Sequence, residues 1–233
     1  KLQLQLQSLF PQARILRADK DTASGRHDFE KIYQKMWNQE ADILLGTQMI
    51  TKGLDLPNVT LVGIVIADIG LHIPDHRASE RVFSLLMQVS GRSGRHKPGE
   101  VIIQTYQPDH PAIVAAAKQD YQGFYTNEIS IREQFFYPPF SMMIRLTYAH
   151  KDAEKAESEA KRLFEFLQAT SYKLQPRIDL SPHYIPRLHN KFIWNILMRG
   201  ENLRKLLEGT AFKNGWPAIR SLGEGWIVNM DPI

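Results

Sequence analysis

Two arginines three residues apart are the groups in this sequence best suited to chemistry. Arg92 and Arg95 lie in residues 88–95, which read Q-V-S-G-R-S-G-R, and a helical turn would direct both guanidinium groups the same way. Such a pair suits the oxygens of a triphosphate, because each planar fork bonds two oxygens while neutralising charge. Gly91 and Gly94 have no side chains that would crowd the approach of the phosphates to the loop. The run is therefore a candidate phosphate-binding loop, and the alternative is a solvated basic turn.

A second polar loop covers residues 46–57, which read G-T-Q-M-I-T-K-G-L-D-L-P. It is rich in hydroxyl, amide and lysine donors, and Gly53 permits a close approach of backbone to a ligand. Taken alone, such a loop is typical of an ordinary connection. In a parallel α/β sheet, however, ligands gather at the loops that follow the carboxyl ends of strands. Two such loops in order in one domain favour a functional site.

The elements around these loops predict an α/β domain. Short apolar runs separated by helical patterns imply a parallel sheet covered on both faces. The first residues fit either a strand or one face of a helix, and we favour the helix. The predicted strands are residues 13–17, 42–46, 61–67 and 100–106, and the predicted helices are residues 26–39 and 78–89.

The second half of the chain has a different pattern. Residues 109–133 are largely helical and lead into residues 135–140, where two prolines among aromatic residues end the helix and mark a boundary. The order beyond it is βαββαβ, which predicts a ferredoxin-like two-layer fold. The predicted strands are residues 142–149, 178–185, 191–199 and 226–230, and the predicted helices are residues 152–169 and 201–212.

Composition limits the class of protein. The chain has 233 residues, a net charge of +4 and no cysteine, which excludes disulfides and thiolate metal sites within it. No apolar run is long enough to cross a bilayer, so we expect no membrane association. We expect a cytoplasmic protein, associated with the nucleoid. Since the first residue is Lys1, the chain is expected to be a piece of a longer protein.

The two loops resemble motifs V and VI of superfamily 2 helicases. Residues 88–95 fit the motif VI pattern Q-x-x-G-R-x-G-R, and Thr47, Gln48, Lys52, Gly53 and Asp55 fit motif V. Further segments resemble the primosomal replication-restart helicases within that superfamily. These segments are residues 17–22, 42–49, 57–62, 67–68, 74–81, 132–140 and 231–232.

The resemblance implies three regions. Residues 1–108 would form the second RecA-like lobe of the motor, and residues 109–140 a helical linker that ends in Y-P-P-F. Residues 141–233 would form an S10-like C-terminal DNA-binding domain with the ferredoxin-like βαββαβ order. The activity implied is that of an ATP-dependent 3′→5′ DNA helicase that binds stalled replication forks and restarts replication by primosome assembly.

The resemblance also implies roles for residues. Arg95 would be the catalytic arginine finger that stabilises charge on the transferring phosphoryl group, with Arg92 beside it on the phosphates. Gln88, Gly53 and Asp55 would complete the nucleotide-binding set. Contacts to the DNA backbone would come from Thr47, Gln48 and Lys52.

The sequence departs from the family pattern in three respects. It contains no G-x-x-x-x-G-K-[ST] motif, no D-E-x-x box and no cysteine-rich zinc module. ATP and Mg²⁺ would therefore be held together with a first lobe that these residues do not contain. Zn²⁺ belongs to the full-length family, and no ligands for it are expected here. We therefore expect this chain to be catalytically incomplete by itself.

The C-terminal region carries a basic segment. Between Arg177 and Lys205 there are six basic residues, against two acidic ones, and we predict DNA contacts by Arg187, Lys191 and Arg199. The alternative is a half-buried sheet face with solvated cations. Phe192 and Trp194 could stack bases or pack in a core, and we interpret His183 and His189 as loop residues with no metal site.

One residue outside the two motifs is also a candidate. Asp68 ends an apolar run, and we predict that it links motifs V and VI.

The partners expected by resemblance are DNA (forked, single-stranded and duplex), primosome proteins and single-stranded-DNA-binding protein. Two alternatives remain. One is a stand-alone DNA- or partner-binding remnant without ATPase activity. The other is a fragment of a UvrB-like excision-repair motor, which shares the G-L-D-x-P sequence of residues 53–57 but not the Y-P-P-F segment.

Overall fold

The computed structural model describes residues 1–19, 26–47, 56, 58–91, 99–170, 176–201, 203 and 225–231. By internal contacts the chain divides into two compact units. The first comprises Lys1–His72 and Ala78–Phe124, and the second comprises Ile73–Arg77 and Tyr125–Ile233. The segment predicted as a linker, residues 109–140, is thus shared between the two units.

The first unit begins with a β-α-β arrangement. After helix α1 (Leu2–Leu9), strand β1 (Ile15–Ala18) and strand β2 (Ile43–Gly46) pair in parallel, and helix α2 (Arg26–Trp37) connects them. Ala18 of β1 and Ile32 of α2 are the buried residues of this part. The parallel pair and its helical connection match the predicted α/β class.

An ion pair fixes the start of both strands. The Arg14 side chain donates from Nε and Nη2 to the two oxygens of Asp42, at 2.9 and 2.7 Å, and its backbone N–H donates to the same carboxylate at 2.8 Å. These bonds hold the pKa of Asp42 well below its usual value. The pair is exposed to solvent, so it sets register more than it adds stability.

The rest of the first unit is built around a second parallel pair, strand β3 (Leu61–Ile64) with strand β4 (Glu100–Ile103). A 3₁₀ turn (Ala67–Gly70) follows β3, and helix α3 (Ala78–Ser90) precedes β4 in the chain. Three residues of α3 point into a core shared with the two helices that follow. Those helices are α4 (Pro111–Ala117) and α5 (Tyr121–Gln134), and the core residues are Val82, Phe83, Leu86, Ala112, Ile113, Ala116 and Phe124.

The predicted strands 61–67 and 100–106 are shorter in the structure, where they cover Leu61–Ile64 and Glu100–Ile103. The backbone of Ile66 turns into the left-handed region (φ 61°), which ends the extended run. Leu61 and Ile102 are exposed, because the described helices pack on the side of Ile64 and Ile103 only. Within the described residues, the pair β3–β4 is therefore covered on one face rather than on both.

The second unit is an antiparallel sheet with a helix on one face. Its described strands are β5 (Met142–His150), β6 (Arg177–Leu188), β7 (Lys191–Gly200) and β8 (Trp226–Met230), in the order β6-β7-β5-β8. Helix α6 (Ala153–Thr170) lies between β5 and β6 in the chain. The described elements follow one another as β-α-β-β and then β, and the ferredoxin-like assignment stays a prediction. Of the predicted helix over residues 201–212, only residues 201 and 203 are among the described residues.

The core of the second unit lies between α6 and the sheet. Leu163 and Leu167 of α6 pack with Ile144 and Leu146 of β5, and the same group includes Ile196 and Met198 of β7 and Leu203. Asp152 begins the helix, since its Oδ1 accepts the Lys155 N–H at 3.0 Å. The alternation along β7 places its odd-numbered residues on the opposite, more polar face of the sheet.

Candidate functional site

The structure describes only the edges of the two motif loops. Thr47 directly follows β2 and is exposed. Gln88 lies in the last turn of α3 and is also exposed. The other residues predicted for the nucleotide and the DNA strand lie outside the described residues. They are Gln48, Lys52, Gly53, Asp55, Arg92 and Arg95.

Helix α3 explains how the beginning of motif VI is held. Leu86 and Ser90, four residues apart, are buried on the inner face, and Gln88 between them lies on the outer face. The Gly91 N–H donates to the carbonyl of Met87 at 3.0 Å, which continues the helical bonding into the loop. The start of the motif is therefore anchored on a packed helix.

Asp68 is the most deeply buried acidic residue among those the structure describes, with 3% of its surface exposed. Its Oδ1 accepts the Thr105 hydroxyl at 2.7 Å and the Gln107 N–H at 3.1 Å. The Tyr106 N–H donates to both carboxylate oxygens, at 3.2 and 3.1 Å. These donors lie in the loop after β4, so the described contacts of Asp68 join the ends of β3 and β4. Its predicted link between motifs V and VI stays a prediction.

We expect the Asp68→Asn substitution to destabilise the first unit. An amide oxygen in the place of Oδ1 keeps the bonds from Thr105 and Gln107, but the NH₂ group in the place of Oδ2 then faces the N–H of Tyr106, which leaves a buried donor unsatisfied. The melting temperature measured by differential scanning calorimetry should fall by a few degrees. Asp109→Asn is a suitable control, because it changes an exposed carboxylate of the same unit.

The same contacts predict how acid affects this difference. The hydrogen bond from Thr105, followed by those from the backbone, lowers the pKa of Asp68 below its usual value. The contribution to stability is therefore complete above the unfolded value of about 3.9 and is lost as the pH falls through the lower folded pKa. The gap in melting temperature between the native chain and the variant should narrow on acidification. A gap that stays constant or widens toward low pH would contradict this account.

Two of the predicted DNA-contacting cations lie together at the β6–β7 hairpin. Arg187 and Lys191 flank the turn, where His189 and Asn190 both take positive φ, as a tight two-residue hairpin requires. Arg187 lies over the ring of Phe192 at 5.4 Å and donates to the side-chain oxygen of Asn190 at 3.0 Å. Both cations are exposed, so this end of the hairpin presents positive charge to solvent.

Arg199, the third predicted DNA contact, lies at the other end of β7, about 27 Å along the strand from Lys191. Its guanidinium donates to the Asp179 carboxylate at 2.6 Å and to the carbonyl of Phe135 at 3.1 Å. It also lies over the ring of Tyr137 at 5.1 Å, and only 13% of its side chain is exposed. The structure thus gives Arg199 contacts within the chain that attach residues 135–137 to the sheet.

The ring of Tyr137 has a second neighbour. His76 stacks on it with ring centres 5.4 Å apart and planes 20° from parallel. Arg177 lies over the adjacent Phe136 ring at 4.2 Å. Phe136 and Tyr137, where the Y-P-P-F segment begins, are therefore held by two arginines and a histidine, an arrangement that sequence reasoning missed. Aromatic residues beside prolines were its only local signal.

Phe192, Trp194 and His183 are the remaining candidates in the second unit. Phe192 and Trp194 lie on the same face of β7 as the core residues Ile196 and Met198, and both are partly buried. His183 contacts its own loop through the Ile185 N–H. In the part of the chain that the structure describes, no cluster of histidine and carboxylate groups could hold a metal ion. No helix among these residues is long and apolar enough to cross a membrane.

Comparison with known proteins adds two findings. The model of the helicase conserved C-terminal domain family matches residues 4–97, a stretch that contains both motif loops. Proteins named replication restart protein PriA are similar over most of the chain. That of Bacillus subtilis is 41% identical over 216 residues, which cover 89% of this chain and 27% of its own length.

Two further relatives give the same result. The PriA of Chlamydia muridarum is 38% identical over 235 residues, with coverage of 100% of this chain and 31% of its own length. That of Thermotoga maritima is 32% identical over 234 residues, with coverage of 100% and 30%. The chain therefore spans less than a third of the length of these curated relatives.

The α/β first unit and the matched domain define the class, which is that of proteins with a helicase C-terminal domain. The relatives then narrow the family. The chain belongs with the PriA replication restart proteins and corresponds to a C-terminal portion of them.

Proposed function

We propose that this chain is part of an ATP-dependent 3′→5′ DNA helicase that binds stalled replication forks and restarts replication by primosome assembly. The observation that carries the proposal is the match of the helicase C-terminal domain over residues 4–97, together with relatives named for replication restart. Both motif loops fall within the matched residues. The names of the relatives favour this family over a UvrB-like repair motor.

The nucleotide would be bound jointly with a first lobe that carries a P-loop. Arg95, with Arg92 beside it, would neutralise charge on the transferring phosphoryl group, and Gln88 would hold the motif against the nucleotide. Gly53 and Asp55 would complete the nucleotide side of motif V. The exposed position of Gln88 at the end of α3 is compatible with this role. ATP with Mg²⁺ would supply the phosphoryl chemistry. Zn²⁺ would belong to the full-length protein, and we propose no ligands for it in this chain.

DNA would be held by both units. Thr47, Gln48 and Lys52 would contact the backbone of the translocating strand. In the second unit, which we assign to the ferredoxin-like, S10-like class, Arg187 and Lys191 would contact phosphates of forked, single-stranded or duplex DNA. Their exposure and their position at one end of the hairpin support this assignment. Primosome proteins and single-stranded-DNA-binding protein are the protein partners proposed for the whole helicase.

A binding experiment on the 233-residue chain tests this proposal. We expect it to bind a labelled DNA fork with an affinity that falls steeply with salt, because phosphate contacts release counterions. It should hydrolyse no ATP, with or without DNA, since it contains no P-loop. Removing Arg187 or Lys191 should reduce the slope of log affinity against log salt by about 1 each.

Lys161→Ala is the matched control, because it removes an exposed cation that is paired with Glu157 on α6. It should leave the slope close to that of the native chain. Salt-independent binding, or ATP turnover by this chain, would contradict the proposal.

A further inference from the structure

Strand β6 departs from its partner shortly before the hairpin turn. Pro182 lies opposite Trp194 of β7, and the next paired residue, Arg187, lies opposite Phe192. The four residues 183–186 therefore stand opposite the single residue Ile193. We call these four residues, H-Y-I-P, the Tyr184 bulge. An insertion of this size carries its side chains out of the ladder and away from the core.

The Tyr184 bulge is held in a defined shape. The His183 ring nitrogen Nδ1 accepts the Ile185 N–H at 3.1 Å, which closes a tight local turn around Tyr184. Pro182 and Pro186 flank the turn, and each fixes its own φ. Tyr184 is thus presented at the apex of a restrained loop, so little conformational freedom would be lost when a ligand orders it.

The exposure of this segment is not needed by the fold. Tyr184 is 64% exposed and Ile185 is 47% exposed. The strand β6 is an edge strand, and a bulge with prolines does protect such an edge from pairing with another chain. That protection requires no aromatic ring, because a charged or small polar residue at the apex would serve it better. The ring is therefore available for contact with a ligand.

The charges beside the bulge indicate what kind of ligand fits. Arg187 directly follows the bulge, and Lys191 begins the partner strand. The sequence has no carboxylate between Asp179 and Glu201. Arg187 donates to the amide oxygen of Asn190, and no ion pair of either cation is found within the described ranges. An aromatic ring beside exposed cations is the combination that binds single-stranded nucleic acid, with bases stacked on rings and phosphates near cations.

We propose that Tyr184 stacks on an unpaired base of single-stranded DNA whose phosphates lie against Arg187 and Lys191. This inference rests on the proposed function, in which the second unit binds DNA, and it adds the mode of binding and the residue that supplies it. Phe192 and Trp194 are poorer candidates, because they lie on the face of β7 that packs toward α6.

The test uses the 233-residue chain and an oligothymidine strand that carries one 2-aminopurine. Stacking on an aromatic ring should quench the fluorescence of 2-aminopurine when the chain binds. We expect Tyr184→Ala to weaken binding about tenfold and to lose most of this quenching, since base–aromatic stacking has an effect of that size. Tyr184→Phe should retain both. The salt slope should be the same for all three proteins, because the ring carries no charge.

Tyr125→Ala is the matched control, because it removes another exposed tyrosine from the second unit. It should bind and quench like the native chain. Native affinity for Tyr184→Ala, or equal losses for Tyr184→Ala and Tyr184→Phe, would overturn the stacking proposal. In that case a reduced salt slope for Arg187→Ala would still support DNA binding by the second unit. Absence of DNA binding by the native chain at low salt would overturn both. A protein partner would be indicated if Tyr184→Ala impaired capture of a primosome protein but not binding of DNA, and this too would overturn stacking.

Discussion

In the full-length helicase, the Arg95→Ala substitution is expected to lower DNA-stimulated ATP hydrolysis by about 10³–10⁵-fold, the range typical of arginine fingers. Nucleotide affinity should be largely retained. The reason is that charge accumulates on the transferring phosphoryl group as the reaction proceeds, so a guanidinium aimed at it stabilises the transition state more than bound ATP. Single-turnover hydrolysis and equilibrium binding of a labelled ATP analogue measure the two quantities separately.

Two variants sharpen this experiment. Arg95→Lys keeps the charge but not the planar fork, and it should recover only a small part of the lost rate. Lys118→Ala removes an exposed cation at the end of α4 and should leave hydrolysis unchanged. If Arg95→Ala lowered nucleotide affinity by the same factor as turnover, Arg95 would be a binding residue and not a finger.

Elements with a strong local pattern were predicted closely. The predicted helices 26–39 and 152–169 correspond to α2 and α6 within two residues at each end, because their apolar residues recur at helical spacing over three turns or more. Even the ambiguous start was predicted correctly as α1. The end of β3 was not, since the left-handed backbone of Ile66 depends on tertiary contacts of the following turn, and no local signal marks a β-branched residue for that conformation.

Residue types indicated the candidate site better than residue partners did. The sequence predicts a basic segment at the hairpin, and Arg187 and Lys191 are exposed there. The sequence does not predict the partners of Arg199, because Phe135 lies 64 residues away in the chain. The exposure of Tyr184 could not be predicted either, for a related reason. A tyrosine in an apolar strand pattern predicts a half-buried residue, and only the pairing register shows that it stands in a bulge.

Arg199, which is bonded within the chain, and Arg187, which is exposed, should respond differently to substitution. Arg199→Ala should lower the free energy of unfolding of the second unit by about 2–3 kcal/mol, the size expected when charge-assisted hydrogen bonds and a cation–π contact are lost together. The lost contacts are those to Asp179, to the carbonyl of Phe135 and to the ring of Tyr137. DNA affinity and its salt slope should stay close to native values.

Arg187→Ala should behave in the opposite way, because its guanidinium is exposed and its described contacts are with the neighbouring Asn190 and Phe192. Its stability should change by no more than about 0.5 kcal/mol, and its salt slope should fall by about 1. Arg199→Met separates packing from bonding, since it retains an unbranched apolar chain and loses the donors. Urea unfolding gives the free energies, and hydrogen exchange in β5–β8 assigns the loss to the second unit. A native salt slope for Arg187→Ala combined with a reduced slope for Arg199→Ala would place the DNA at the Y-P-P-F end of the sheet instead of at the hairpin.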